Sequence, residues 1–221
     1  MPAMKKCLML LAPLALLAGA GPLRAQGYPY PAYQGQRPVQ WDIHGGASIT
    51  EGEAGRDFNN GGTFGTGVTF HPQPGPFALR LEVNYARSSA TDQFVTANEN
   101  ATNTPIDDGS MQTVTGFLDG VLAAPFGPWA RFYASAGAGL GWRRIELTQN
   151  GFRCDVFFCG SGFGRDVLIA SQDDTRFAWN AGAGVDFLLP NGSSWFIEAR
   201  YERIETQQPT ELIPIRFGFR F

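Results

Sequence analysis

From Gln40 to Phe221 the chain repeats one pattern: apolar side chains recur at every second position through eight successive segments of roughly ten residues. Only an extended backbone places alternate residues on one face, so the pattern excludes a helical fold. Trp41, Ile43, Ala47 and Ile49 alternate with Asp42, His44 and Ser48, and Phe64, Val68 and Phe70 with Thr63, Gly65, Gly67 and Thr69. The clearest segment interleaves Phe77, Leu79, Leu81, Val83 and Tyr85 with Ala78, Arg80, Glu82 and Asn84. Val114, Leu118 and Leu122 oppose Thr115 and Asp119; Phe132 to Trp142 then alternates with Arg131, Tyr133, Ser135 and glycines 137, 139 and 141. Phe177 to Phe187 opposes Arg176, Asn180, Gly182, Gly184 and Asp186, and Trp195 to Tyr201 opposes Glu198, Arg200 and Glu202. The eighth segment sets Ile213, Ile215, Phe217, Phe219 and Phe221 against Arg216, Gly218 and Arg220.

Composition narrows the classes further. An aromatic content of 13% is too high for a disordered chain despite 28 glycines in 221 residues. The longest apolar run, Cys7 to Ala20, is interrupted by Pro13 and falls short of the roughly 20 residues of a spanning helix. A net charge of -3 without any Lys/Arg cluster disfavours a nucleic-acid binder. Lys5 and Lys6, the apolar run and Leu23-Arg24-Ala25 read together as a secretory signal peptide over 1–25, cleaved near Ala25. Residues 26–39 form a Pro/Tyr/Gln-rich linker, and 40–221 a single exported domain. In an oxidising compartment Cys154 and Cys159 are expected to close a small loop disulfide; a metal pair is the rival, and it lacks a nearby His.

The connections alternate as regularly as the strands. Short Pro/Gly turns at 71–76, 124–128 and 190–194 intervene between mostly longer polar loops at 51–60, 89–110, 149–174 and 205–210. All turns then lie at one end of an up-and-down meander and all loops at the other. The polar face carries nine or more glycines and opposite charges, which suits a narrow interior, whereas the apolar face is almost free of charge and bears aromatics near the strand ends. The fold expected is all-β, an eight-stranded antiparallel up-and-down transmembrane β-barrel with lipid outside.

These features resemble the family of small eight-stranded outer-membrane β-barrels that includes OmpA-like, OmpX-like and opacity-type proteins, over Gln40 to Phe221. The most specific mark is the last strand, where Phe217, Phe219 and the terminal Phe221 match the signal such proteins present to the barrel-assembly machinery. The resemblance implies a bacterial outer-membrane location, a monomer, contact with outer-membrane lipid and lipopolysaccharide, and no cofactor. Pro214 departs from the pattern and is expected near the loop end of its strand or at a bulge.

Eight strands leave an interior only wide enough for side chains. Twelve charged residues point inward: Arg80, Arg131, Arg176, Arg200, Arg216 and Arg220 against Asp42, Glu82, Asp119, Asp186, Glu198 and Glu202. Counted from the turns, Arg80, Asp119, Arg131, Asp186 and Glu198 share a depth, with Arg216 next, which predicts a salt-bridge ring plugging the lumen. The function expected is a structural or surface-interaction role. A carrier or narrow porin for small, hydrophobic solutes is the alternative, and a lipid A-modifying enzyme a third. His44 lies four residues from Ser48 on the inward face without an acid to complete a triad, and no metal site is implied. The loop at 88–110 carries Asp92, Glu99, Asp107 and Asp108 with no base, which suits divalent cations, an extracellular partner or plain solvation. The loop at 149–174 gathers Phe152, Phe157, Phe158 and Phe163 around its cysteine pair, as a contact surface or a lid over the mouth.

Overall fold

The structure, a computed structural model, describes residues 37–72, 74–103, 105–149, 153–155, 158–160 and 167–221. The signal peptide expected at 1–25 and most of the linker expected at 26–39 fall outside the described residues, as do Phe152, Phe157 and Phe163. Eight strands close into one barrel: β1 (Val39–Glu51), β2 (Gly61–Phe70), β3 (Phe77–Ser89), β4 (Asp108–Pro125), β5 (Ala130–Gln149), β8 (Val167–Leu188), β9 (Ser194–Ile204) and β10 (Thr210–Arg220). A short hairpin of β6 (Arg153–Asp155) and β7 (Phe158–Gly160) joins β5 to β8. Helices α1 (Ala54–Asp57) and α2 (Asp92–Thr102) lie in the first two loops. Each barrel strand pairs antiparallel with its neighbours, and β1 closes on β10 through Asp42↔Arg220 to Glu51↔Glu211. Reciprocal bonds between the backbones of Trp41 and Phe221, at 2.9 and 2.8 Å, seal that seam at the turn end. No sheet edge is left to be satisfied in hydrocarbon.

The two faces sort as the alternation dictates. Trp41, Leu81, Leu118, Leu140 and Phe217 stand exposed on the outer wall, while Arg80, Glu82, Asp119 and Glu198 are at most 1% exposed inside it. A water-soluble protein would reverse this distribution; an outer-membrane barrel requires it. Small lumen residues make room for the large ones. A Cβ added at Gly218 would lie 2.5 Å from the Phe196 ring, and one at Gly184 2.6 Å from the Tyr133 ring.

Several elements exceed what the alternation conveys. β5 and β8 run 20 and 22 residues, so residues 167–174, which read as loop, continue the ladder. Residues 167–170 are all apolar and 171–174 all polar, so neither half shows a period of two in hydropathy, yet Arg144 faces Asp173 and the strands stay paired. At about 3.3 Å per residue such strands outreach the hydrocarbon layer and project beyond it on the loop side. The 89–110 loop contains the 11-residue helix α2, started by Thr91, whose hydroxyl accepts from the Phe94 amide at 3.3 Å, and ended by Asn103 in the left-handed region. Pro214 sits in the loop-side half of β10 opposite Ser48, without a bulge. The β10–β9 ladder skips Ile213 and Pro214 and resumes in unchanged register at Ile215↔Ala199. The missing donor therefore interrupts pairing locally without shifting it.

Replacing Gly218 by Ala forces its Cβ onto the Phe196 ring and the His44 Cβ, 2.7 Å away. Overpacking of this kind costs about 1–3 kcal/mol. Urea unfolding of the refolded barrel should show a lowered midpoint of that size for G218A, and an unchanged midpoint would contradict the tight fit.

Candidate functional site

The lumen is crossed by side chains, not lined by them. β3 and β9 stand four places apart in the ring of eight strands, on opposite walls. Arg80 on β3 reaches Glu198 on β9 with both terminal nitrogens, Nη1 to Oε2 at 3.0 Å and Nη2 to Oε1 at 3.0 Å. Glu82, two residues further along β3, accepts the reverse pair from Arg200 on β9 at 2.7 and 3.2 Å. Two antiparallel forks thus span the bore, each in the geometry that only a guanidinium and a carboxylate share. Arg80 also binds Asp119 at 3.1 Å, and Arg216 on β10 adds Glu82 at 2.7 Å and Glu198 at 3.1 Å. Three arginines therefore meet three carboxylates. Glu198 is the hub, since it also accepts from Tyr133 Oη at 3.1 Å and Ser135 Oγ at 3.0 Å.

A second, smaller group lies nearer the turns, where Asp186 receives Arg131 at 2.7 Å and Arg220 at 2.6 Å. The Arg220 guanidinium stacks 4.7 Å from the Phe196 ring centroid. The single ring expected from counting residues is thereby corrected to two tiers. Distance from the turn is the reason: Arg131 pairs with Pro125 on β4 and Asp186 on β8 next to the turns, whereas Asp119 sits opposite Gly137, further up the same hairpin.

Arg176 is a further correction. Its side chain is 50% exposed and pairs with Asp174 at 2.9 Å. The β8–β9 ladder ends at Ala178↔Ile204, so Arg176 has lost the strand beside it and faces the mouth, not the lumen. Asp42 is buried and, among the described residues, has no arginine within ion-pair distance; it accepts from His44 Nδ1 at 2.9 Å. Glu202 is buried with Arg200 4.0 Å away. The acid beside His44 was legible in the sequence, because residues two apart on a strand share a face. The pair nevertheless forms no catalytic triad. The other ring nitrogen meets Asn84 Oδ1 at 2.7 Å, and Ser48 Oγ has no partner among the described residues.

Apolar layers enclose the polar one. Ala123, Tyr133 and Phe196 pack beneath it on the turn side; Phe117, Ala178 and Ile204 pack above it on the loop side. Phe117 and Phe196 had no signal as lumen residues, since phenylalanine elsewhere marks the lipid face. Above them, at the mouth, Phe58, Met111 and Leu212 form a third cluster with Phe94 of α2 packed against it. Arg143, which the inward count omitted, also faces the lumen here and donates to Thr210 Oγ1 at 2.9 Å and the Gln208 carbonyl at 3.3 Å. Phe217 stacks on Trp195 at 5.1 Å and Phe219 packs against it, tilted, at 4.6 Å on the outer wall, with Phe221 next to Phe219 at 6.1 Å. The β6–β7 ladder sets Cys154 directly opposite Cys159 along the backbone. Among the described residues no three His, Cys, Asp or Glu side chains converge to hold a metal ion.

At the turn end His71 is buried, and that burial together with the guanidiniums of Arg131 and Arg220 pulls its pKa from 6.5 down to about 4.

A family model described as the outer membrane protein beta-barrel domain matches residues 14–221. Among solved structures, a major outer membrane protein of Thermus thermophilus is 14% identical with a TM-score of 0.53, over 84% of this chain and 99% of that one. Neisserial surface protein A is 12% identical with a TM-score of 0.52, over 83% and 96%. The attachment invasion locus protein Ail of Yersinia pestis, solved with the heparin analogue sucrose octasulfate, is 16% identical with a TM-score of 0.50, over 84% and 100%. No curated protein matches the sequence significantly. At these identities the structural likeness establishes the fold.

Two consequences are measurable. Glu198→Gln keeps the shape but leaves three buried guanidiniums facing two carboxylates, so urea unfolding should report a loss of about 3–5 kcal/mol; a loss below about 1 kcal/mol would mean the hub is dispensable. For His71, between pH about 6.5 and about 4 the unfolded chain binds a proton that the folded barrel refuses. The His71 contribution to stability therefore falls as pH drops through that window and is constant below it, and His71→Asn should show a shallower slope than wild type there.

Proposed function

The chain belongs to the outer membrane protein beta-barrel domain family, and from that premise we propose that it is a monomeric, non-conducting barrel of the bacterial outer membrane that acts through its loops. The observation that carries this reading is the pair of cross-lumen forks, Arg80–Glu198 and Glu82–Arg200, closed above and below by apolar layers. A hydrated ion would have to part charges held at 2.7–3.2 Å in a site from which water is excluded. Diffusion of solutes is not the work such a lumen suits. A lipid-modifying enzyme is disfavoured by the burial of His44, 3% exposed inside the barrel and out of reach of lipid.

In this reading Phe217, Phe219 and Phe221 serve the barrel-assembly machinery, and the outer wall meets lipid and, toward the loops, lipopolysaccharide. Cys154 and Cys159, opposite one another in the β6–β7 hairpin, form a disulfide that staples the loop between β5 and β8. The segment containing α2 carries four acids between 88 and 110 and no base. A heparin-like polyanion of the kind bound by the Yersinia pestis protein would meet repulsion there, so a neutral or cationic extracellular partner fits better.

Single-channel recording of the refolded protein in a planar bilayer tests the closed lumen. No resolvable steps are expected for wild type. The double variant E82A/R200A, which removes one whole fork, should admit small currents. A large steady current through wild type would end the non-conducting reading.

A further inference from the structure

Six arginines point into the barrel, and five of them have a carboxylate within 4.0 Å. Arg143 has none among the described residues. It is 9% exposed, and a single terminal nitrogen is engaged, by Thr210 Oγ1 and the Gln208 carbonyl. Asp174, its partner on the facing strand, attracts Arg143 only from beyond ion-pair distance and is itself paired with Arg176. A buried cation without a counterion is costly, and proteins seldom keep one that has nothing to bind.

What lies above Arg143 is a cavity of about 490 Å³ at the loop-end mouth, within the range of small-molecule sites. Its apolar wall consists of Phe58, Phe94, Ile145 and Leu147, contributed by two loops and β5. The wall is firmly built, since Phe94 of α2 packs on Phe58 with ring centroids 5.2 Å apart and the pair sits on the buried Met111 and Leu212. Asp57 and Glu53 lie among the lining residues as well, and Glu53 already has Arg56 at 3.7 Å. Asp57 disfavours a second negative group on any ligand.

We infer that this vestibule binds a small amphipathic monoanion, a carboxylate or sulfonate whose head pairs with Arg143 and whose apolar body lies against Phe58 and Phe94. The anion supplies the close ion-pair partner that Arg143 lacks among the described residues. Because the apolar layer of Phe117, Ala178 and Ile204 closes the lumen beneath, the site is a receptor at the mouth and not the entrance to a channel. The assignment is independent of the conductance result, since a leaky lumen would leave the vestibule intact.

Calorimetric titration of 2-naphthoate into the barrel in lipid nanodiscs, with empty nanodiscs as the blank, tests it. Saturable binding is expected for wild type. R143M should weaken it about tenfold or more, the scale of a lost hydrogen bond to a charged group. The neutral 2-naphthamide should bind wild type and R143M alike and more weakly than naphthoate. Heat-modifiable mobility on gels certifies that R143M has folded; if it has not, F94A, altered on the exposed helix, should weaken both ligands by a similar factor. Naphthoate heats equal to the blank, or equal affinity for wild type and folded R143M, would overturn the proposal, as would unchanged binding in F94A.

Discussion

The fold depends on opposite charges meeting across the full width of the barrel. A strand that crosses a membrane must turn one face to lipid, where the apolar side chains gain little from packing because hydrocarbon surrounds them in any case. Stabilisation specific to this fold has to come from the strand ladders and from inside. The Arg80–Glu198 and Glu82–Arg200 forks join opposite walls directly, so they hold the cross-section closed in a way that neighbouring-strand contacts cannot. Burying these charges is tolerable only because each carboxylate oxygen of the hub finds a donor: Glu198 Oε1 accepts from Arg80, Arg200 and Ser135, and Oε2 from Arg80 and Tyr133.

The apolar layers on either side follow from that requirement. Phe196 and Tyr133 below and Phe117 and Ile204 above keep water from competing for the guanidiniums, which strengthens the pairs they enclose. The glycines are the geometric counterpart. Gly184 gives its space to Tyr133 and Gly218 to Phe196, so a bore of fixed strand number accommodates large rings and arginines together. Lumen glycine and lumen arginine are thus one feature seen twice.

The strands, their order and the direction of each face were legible because alternation over ten residues has a single geometric meaning, and the inward positions of Arg80, Glu82, Arg200 and Arg216 follow from it. Depth was not legible. In the β4–β5 hairpin Arg131 pairs with Pro125 beside the turn, whereas Asp119 pairs with Gly137 further up the strands, so the two lie in different tiers. Arg176 misled for a related reason: parity places it inward, but only the end of β9 decides whether there is still a lumen for it to enter. Phe117 and Phe196 were silent because a phenylalanine within an alternating strand carries no mark of which solvent it prefers. Helix α2 escaped notice because an 11-residue helix with one packed aromatic, Phe94, has too short a hydrophobic period to stand out in a polar loop.

Arg143 illustrates how the pairing rule also locates exceptions. Every arginine below the Phe117 layer is neutralised by residues whose strand positions are fixed by the barrel itself. Above that layer β9 has ended while β4, β5 and β8 continue, and the missing part of the wall is replaced by loops. A charge placed there can be balanced only by a loop residue or by something from outside. The neighbouring carboxylates of Asp174 and Glu53 are already committed to Arg176 and Arg56, which leaves the guanidinium of Arg143 open to a ligand. The same closed cross-section that denies the protein a pore therefore gives its outer mouth a floor, and a cavity with a floor can retain what a channel would pass.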